Sequence, residues 1–184
     1  LSVLSSDIGK LKNLKVLKIS GYSNIINFEF LSNNTNLEEL MMVTSYDYTG
    51  VSCLSELEEL KSLEISVCST LPFIENLESL TVWSLDSIRM IENLNHVKYL
   101  RVDTEYTELE NLKGISMFEQ LEELHIGCYD AEVDFEELSK LKTPKKLYLD
   151  GYWLSGGGSM CSLRDMTNLK ELFISNAFFI EDLD

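Results

Sequence analysis

The chain has 184 residues, with 31 acidic side chains against 15 lysines and arginines, and a formal charge of −16 at pH 7. Nucleic-acid binding depends mainly on Lys and Arg meeting phosphates, so this charge argues against a nucleic-acid partner. It also disfavours binding to anionic membrane surfaces. The composition, 45% hydrophobic and 25% charged, is that of an ordinary globular protein. No apolar run approaches the roughly 18 residues needed for membrane insertion.

A short apolar phrase organises the chain from its first copy, Leu14-x-x-Leu17-x-Ile19, onward. The alternation within the phrase predicts a short β-strand that has one buried face. Measured between the central leucines, successive copies are 17 to 25 residues apart. The eight copies are Leu14/Leu17/Ile19, Leu37/Leu40/Met42, Leu60/Leu63/Ile65, Leu77/Leu80/Val82, Val97/Leu100/Val102, Leu121/Leu124/Ile126, the weaker Pro144/Leu147/Leu149, and Leu169/Leu172/Ile174.

A second apolar series, spaced by three residues, lies upstream of most copies, as in Ile88/Ile91/Leu94. This spacing predicts short helices or 3₁₀ segments that return along the outside of each coil. A strand followed by such a return segment favours a right-handed parallel crossover. Stacked copies then share one parallel sheet and one core. The shortest step contains Pro72, so we expect a tight coil with little or no return helix there.

On these residues, from about Leu4 to Leu183, the chain resembles leucine-rich-repeat proteins, and most of all the short repeats of internalin-like bacterial surface proteins. The resemblance implies an α/β fold, a right-handed solenoid with a parallel β-sheet on the concave face. Short helices, 3₁₀ segments and loops would form the convex face. One feature departs from the family, which often places Asn, Cys or Thr three residues after the last strand position. Only Ser45 and Cys68 could serve there, so we expect no regular asparagine ladder at that position.

Residues 1–184 are expected to form a single leucine-rich-repeat domain of about eight repeats within a longer protein. The stretch 1–11 resembles the end of an earlier repeat, and neither end carries a clear polar cap. End-to-end self-association through uncapped repeats is therefore a second expectation. The internalin-like repeats and the initial Leu1 favour a secreted or cell-surface protein.

Four cysteines weigh against that location, because no C-x-x-C pair occurs and free thiols are the simpler interpretation. A disulfide between neighbouring coils stays open as an alternative in an oxidising compartment. The cysteines are Cys53, Cys68, Cys128 and Cys161.

The sequence predicts neither a catalytic site nor a metal or cofactor site. Neither an H-x-x-x-H pair nor a G-x-S-x-G elbow occurs. Of the two histidines, His96 is expected to face solvent beside Val97, and His125 is expected to point outward from its strand.

The function predicted is non-catalytic recognition of a protein partner through the concave sheet; the alternative is a structural spacer arm in a longer protein. Aromatic and Arg side chains, the residues that interface hot spots favour, project from the predicted strands. Trp83, Tyr99 and Arg101 are expected to form one patch, and Tyr148 with Phe173 another. Single exposed aromatics are also common on surfaces that bind nothing. The candidate partner-binding residues are Trp83, Tyr99, Arg101, Asp103, His125, Tyr148, Asp150 and Phe173.

Overall fold

The computed structural model describes residues 7–21, 27–43, 49–66, 70–103, 112–127, 133–151 and 159–176. Within them, eight parallel strands form one sheet whose spatial order follows the order of the sequence. Every strand lies on one copy of the apolar phrase, which confirms the predicted solenoid. The strands are β1 (Val16–Ser20), β2 (Glu39–Val43), β3 (Ser62–Ser66), β4 (Ser79–Trp83), β5 (Tyr99–Asp103), β6 (Glu123–Gly127), β7 (Lys146–Asp150) and β8 (Glu171–Ser175).

Short return segments connect the strands on the opposite side of the core, as the three-residue spacing predicts. One is a single α-helical turn, α1 (Phe135–Ser139), whose first turn is capped by the Asp134 carboxylate accepting from two backbone N–H groups. Between β3 and β4 the described residues 70–78 contain no helix, which confirms the tight coil. The 3₁₀ segments are Ile8–Lys10, Glu29–Leu31, Val51–Glu56, Ile88–Leu94, Ile115–Met117 and Met160–Asp165.

The core runs the length of the sheet between the strands and the return segments. From β2 to β7 the two inward-facing residues of each strand are at most 2% exposed. The last described strand, β8, is less fully buried. Leu172 occupies an inward position of β8, yet it is 45% exposed. We call the face of the sheet that points away from this core the concave face.

Side-chain hydrogen bonds link successive coils just before the first apolar residue of the phrase. Asn36 donates to the Lys12 carbonyl at 2.7 Å, and Asn168 donates to the Lys142 carbonyl at 2.7 Å. Two further rungs join Asn76 to the Glu58 carbonyl at 2.8 Å and the His96 Nε2 to the Ile74 carbonyl at 3.0 Å. These bonds provide donors for turn carbonyls that no strand pairs. This ladder lies immediately before the apolar phrase, whereas the family position discussed above lies three residues after the strand.

The expectation that His96 faces solvent is wrong. Its ring is half-buried because Nε2 bonds to the preceding coil and the ring contacts Phe73, with 5.1 Å between the ring centroids. His96 therefore serves as a rung of the ladder.

Of the four cysteines, Cys53 and Cys161 lie within the described residues; Cys68 and Cys128, like Ser45, lie outside them. Cys53 is buried and forms no disulfide, and its thiol donates to the Phe28 carbonyl at 3.1 Å. Burial raises the pKa of this thiol to about 11. Among the helices in the described ranges, none has the length and apolar character needed to cross a membrane.

Candidate functional site on the concave face

Three rows of side chains cross the concave face, because alternate strand residues point away from the core and all strands pair in register. The start row is Val16, Glu39, Ser62, Ser79, Tyr99, Glu123, Lys146 and Glu171. The middle row is Lys18, Met41, Glu64, Thr81, Arg101, His125, Tyr148 and Phe173. The end row is Ser20, Val43, Ser66, Trp83, Asp103, Gly127, Asp150 and Ser175.

An aromatic stack, which consists of His125, Tyr148 and Phe173, occupies the middle row of β6 to β8. The His125 and Tyr148 ring centroids are 3.8 Å apart with planes inclined by 15°. The Tyr148 and Phe173 centroids are 4.5 Å apart and their planes differ by 3°. Strands spaced by ~4.8 Å hold facing side chains at this separation, so the rings stack directly. Both faces of Tyr148 are therefore covered.

Arg101 continues the middle row beyond His125 and contacts Trp83. Its guanidinium carbon lies 5.7 Å from the centre of the Trp83 ring, within the range of a cation–π interaction. The Trp83 Nε1 donates to the Glu64 carboxylate at 3.0 Å. Of the expected patch of Trp83, Tyr99 and Arg101, Trp83 and Arg101 are therefore in direct contact.

Tyr99 lies at the other end of β5, in the start row. It pairs in register with Ser79 and Glu123, and its side chain is 44% exposed. The structure therefore places Tyr99 along the start-row side of the middle row, away from the end row that holds Trp83.

Ion pairs neutralise part of the charge of the concave face. Arg101 contacts the Asp103 carboxylate at 3.2 Å. Lys146 lies 3.6 Å from Glu171 and 3.9 Å from Glu123. The Glu171 carboxylate is the main cause that raises the pKa of Lys146. The Arg101, Lys146 and Glu171 members of these pairs are partly exposed to solvent, so each pair contributes little stability and mainly holds its side chains in place.

Within the part of the chain that the structure describes, two carboxylates of this face interact only with neutral donors. Glu64 accepts from Trp83. Asp150 accepts through one oxygen, Oδ1, from the Ser175 hydroxyl and from the Asn176 amide, both at 2.8 Å. Across the described ranges, no cationic group lies within 4 Å of either carboxylate. No ion pair among the described residues therefore compensates the negative charge of Glu64 or Asp150.

Two shallow depressions flank the middle row, with Arg101 and His125 contributing to both. The start-row depression measures about 180 Å³ and the end-row depression about 130 Å³. Typical small-molecule pockets measure ~300–1,000 Å³, so each of these has room for a side chain only. Lining the end-row depression are Arg101, His125, Ile126, Gly127, Tyr148, Leu149, Asp150, Phe173 and Ser175.

No group of three or more His, Cys, Asp or Glu side chains that could hold a metal ion is found within the described residues. The polar groups of the face instead form pairs, such as His125 Nε2 and the Glu123 carboxylate, which lie 2.8 Å apart.

A charge ladder borders the concave face at the residue preceding each of several strands. Lys15 contacts Glu38 at 2.6 Å, and Lys145 contacts Glu122 at 2.7 Å. Each lysine holds the pKa of its partner carboxyl below its usual range, first through the side-chain hydrogen bond. Neighbouring coils are thereby joined outside the sheet.

No protein-family model and no curated protein sequence matches the chain. Solved structures do. An internalin (inlF) from Listeria monocytogenes matches with a TM-score of 0.60 and 17% identity over 94% of this chain, which spans 57% of that one. Internalin C2 from the same organism matches with a TM-score of 0.60 and 19% identity, over 91% of this chain and 74% of that chain.

A plant protein, the peptide hormone receptor RGFR1 in complex with RGF2, matches with a TM-score of 0.56 and 17% identity. The match covers 95% of this chain and 30% of the receptor. At these identities the likeness concerns the fold. The chain accordingly has the leucine-rich-repeat fold, an open parallel solenoid built as in the internalins.

Proposed function

We propose that the chain is a non-catalytic recognition module that binds a protein partner on its concave face. The observation that carries the proposal is the continuous run of Arg101, His125, Tyr148 and Phe173 over four adjacent strands. Aromatic and Arg side chains dominate interface hot spots, and here a sheet with a buried core holds them. The proposed contact residues are Trp83, Tyr99, Arg101, Asp103, His125, Tyr148, Asp150 and Phe173.

A protein or peptide fits this face better than a small molecule does. The depressions beside the middle row are each large enough for one side chain, and they lie along an open surface. A partner chain crossing the strands can place successive side chains into both. The similar receptor in complex with RGF2 supports a polypeptide as the class of ligand.

The proposal is tested by affinity capture from a lysate of the source cells, with quantitative mass spectrometry. A concave variant carries Trp83→Ala, Arg101→Ala and Tyr148→Ala. A matched convex variant carries Arg89→Ala and Arg164→Ala, two exposed positions on the return segments. A partner retained by the convex variant and lost by the concave variant supports the proposal.

Melting temperatures of both variants must be measured, because the Trp83 side chain is half-buried. Retention of every captured protein by a folded concave variant contradicts the proposal. Reproducible capture of nothing by the wild-type chain favours the spacer arm instead.

We also propose that the chain self-associates through its end strand. Leu172 occupies an inward position of β8 and is 45% exposed, so a second copy placed against β8 would bury it. Sedimentation velocity over a concentration series tests this. We expect a dimer that Leu172→Lys dissociates, whereas a monomer at all concentrations contradicts the proposal.

A further inference from the structure

We propose that Gly127 is a positioning residue of the concave face, because its missing side chain makes room for the Asp103 carboxylate that holds Arg101 in place. This rests on the proposed recognition function and identifies what fixes the arginine of that surface. Arg101 belongs to the middle row and borders both depressions. A guanidinium only donates hydrogen bonds, so a fixed Arg101 presents its donors in one geometry to acceptor groups of a partner.

Gly127 differs from every other residue of the end row, because it alone lacks a side chain. The other strands have Ser, Val, Trp or Asp at this position. The backbone gives no reason for a glycine here, since Gly127 does not have the positive φ angle that favours glycine over other residues. A glycine inside a strand can instead mark a place where another group approaches closely.

The group that approaches Gly127 is the carboxylate of Asp103. The two residues pair directly in register on β5 and β6. A Cβ atom at residue 127 would lie 3.1 Å from Oδ2, 3.3 Å from Cγ and 3.6 Å from Oδ1 of Asp103. In this position the Asp103 side chain is only 16% exposed. The carboxylate therefore occupies the space that a side chain at residue 127 would need.

One oxygen connects Gly127 to Arg101. Asp103 Oδ2, the atom nearest to the missing Cβ, accepts from Arg101 Nη2 at 3.2 Å. The guanidinium carbon of Arg101 lies 5.7 Å from the centre of the Trp83 ring, and Trp83 Nε1 donates to Glu64 at 3.0 Å. A methyl group at residue 127 would displace the oxygen that orients Arg101. The linked contacts therefore run from β6 to β3 and begin at Gly127.

Holding Arg101 in one orientation before binding lowers the entropy that binding costs. The Arg101 side chain is 50% exposed, and without the Asp103 contact it would sample more rotamers. Immobilising a long side chain at an interface costs the equivalent of about two- to tenfold in affinity. Gly127→Ala should therefore weaken binding of the partner by about this factor, although it removes no group from the surface.

The first experiment measures, by NMR on the free chain, how fast each guanidinium group rotates about its Nε–Cζ bond. The chain has only three arginines, Arg89, Arg101 and Arg164, so few signals need assignment. Arg89 and Arg164 are exposed on the return segments and serve as internal references. Gly127→Ala should speed the rotation of Arg101 by about two- to fivefold, as expected for loss of a surface ion pair, and leave the other two rates unchanged.

A double-mutant cycle separates positioning from other effects of the added methyl group. Asp103→Ala should itself speed the rotation of Arg101, and Gly127→Ala should then add nothing, because the carboxylate through which it acts is gone. The same cycle is applied to capture of the partner, where a methyl group that only blocks the depression would weaken capture in both backgrounds. Ser20→Ala, at the exposed end-row position of β1, is the matched control and should change neither measurement. The NMR spectrum reports whether each variant is folded.

Unchanged rotation of Arg101 in a folded Gly127→Ala chain overturns the inference, and so do equal increases with and without the Asp103 carboxylate. Faster rotation with undiminished capture of the partner also overturns it, because recognition would then not depend on the order of Arg101. The rotation measurement needs no partner, whereas the triple variant tests separately whether the concave face captures one. A partner lost from the triple variant, with wild-type rotation in Gly127→Ala, would keep the proposed function and reject the positioning role.

Discussion

The cost of a core truncation should depend on where along the solenoid it is made. Leu124 of β6 and Leu172 of β8 occupy the same inward position of the repeat, with 0% and 45% of their surfaces exposed. Replacing either residue by alanine removes the same three carbon atoms. The two substitutions therefore differ only in the surroundings of the side chain.

The magnitudes follow from burial. Loss of three buried carbons costs about 2.4 kcal/mol at ~0.8 kcal/mol per methylene, and a closed cavity at Leu124 brings the total to about 3–5 kcal/mol. At Leu172 nearly half of the side chain is already in contact with solvent, and the site opens outward. Leu172→Ala should therefore cost about 1 kcal/mol.

The assay is urea unfolding of the monomer followed by circular dichroism, at a protein concentration below that at which sedimentation finds association, with the midpoint compared at unchanged slope. Leu124→Ala should shift the midpoint several times further than Leu172→Ala. Equal losses of stability would refute the reasoning, because they would mean that β8 is covered as fully as an interior strand.

Three further predictions concern the links between coils. Asn76→Ala removes the hydrogen bond to the Glu58 carbonyl and should lower the free energy of unfolding in urea by about 0.5–1.5 kcal/mol. The control Asn95→Ala, at an exposed position just outside the ladder, should leave the urea midpoint unchanged. Lys15 depresses the pKa of Glu38, so the stabilisation from this pair is fully present above the unfolded carboxyl pKa of about 4.3 and is lost as pH falls through the lower folded pKa. Glu38→Gln should therefore make the melting temperature depend less on pH between about pH 6 and pH 3. An unchanged dependence of the melting temperature on pH would contradict the pairing. The raised pKa of Cys53 should protect it from iodoacetamide at about pH 8, with alkylation found by peptide mapping only after denaturation; rapid native labelling would rule out its burial.

The strands and the sheet order could be predicted because the repeat imposes them locally. A one-residue slip of any copy would turn its leucines to solvent, so the apolar phrase determines both the strand and its register. The middle row could be read from the same alignment, since His125, Tyr148 and Phe173 hold equivalent positions in successive copies. The predicted patch of Tyr148 and Phe173 did not include His125, although His125 stacks on Tyr148.

The asparagine ladder has a sequence signal, but it lies before the apolar phrase and not three residues after the strand. Asn36, Asn76 and Asn168 each immediately precede the first apolar residue of a copy. Their role becomes apparent only when the preceding coil is in place, because the carbonyl each one satisfies lies 18 to 26 residues earlier. The half-buried His96 follows from the same cause.

By itself, the sequence determined the repeat, the buried face of every strand and the outward rows, because apolar alternation is a local property that water selects. Tertiary structure alone decided which outward groups neutralise one another. Arg101 pairs with Asp103, whereas among the described residues Asp150 accepts only from the Ser175 hydroxyl and the Asn176 amide. The Arg101–Asp103 pair lies within β5 and depends on side-chain directions, whereas the partners of Asp150 belong to the next coil, and no pattern within a single repeat specifies them.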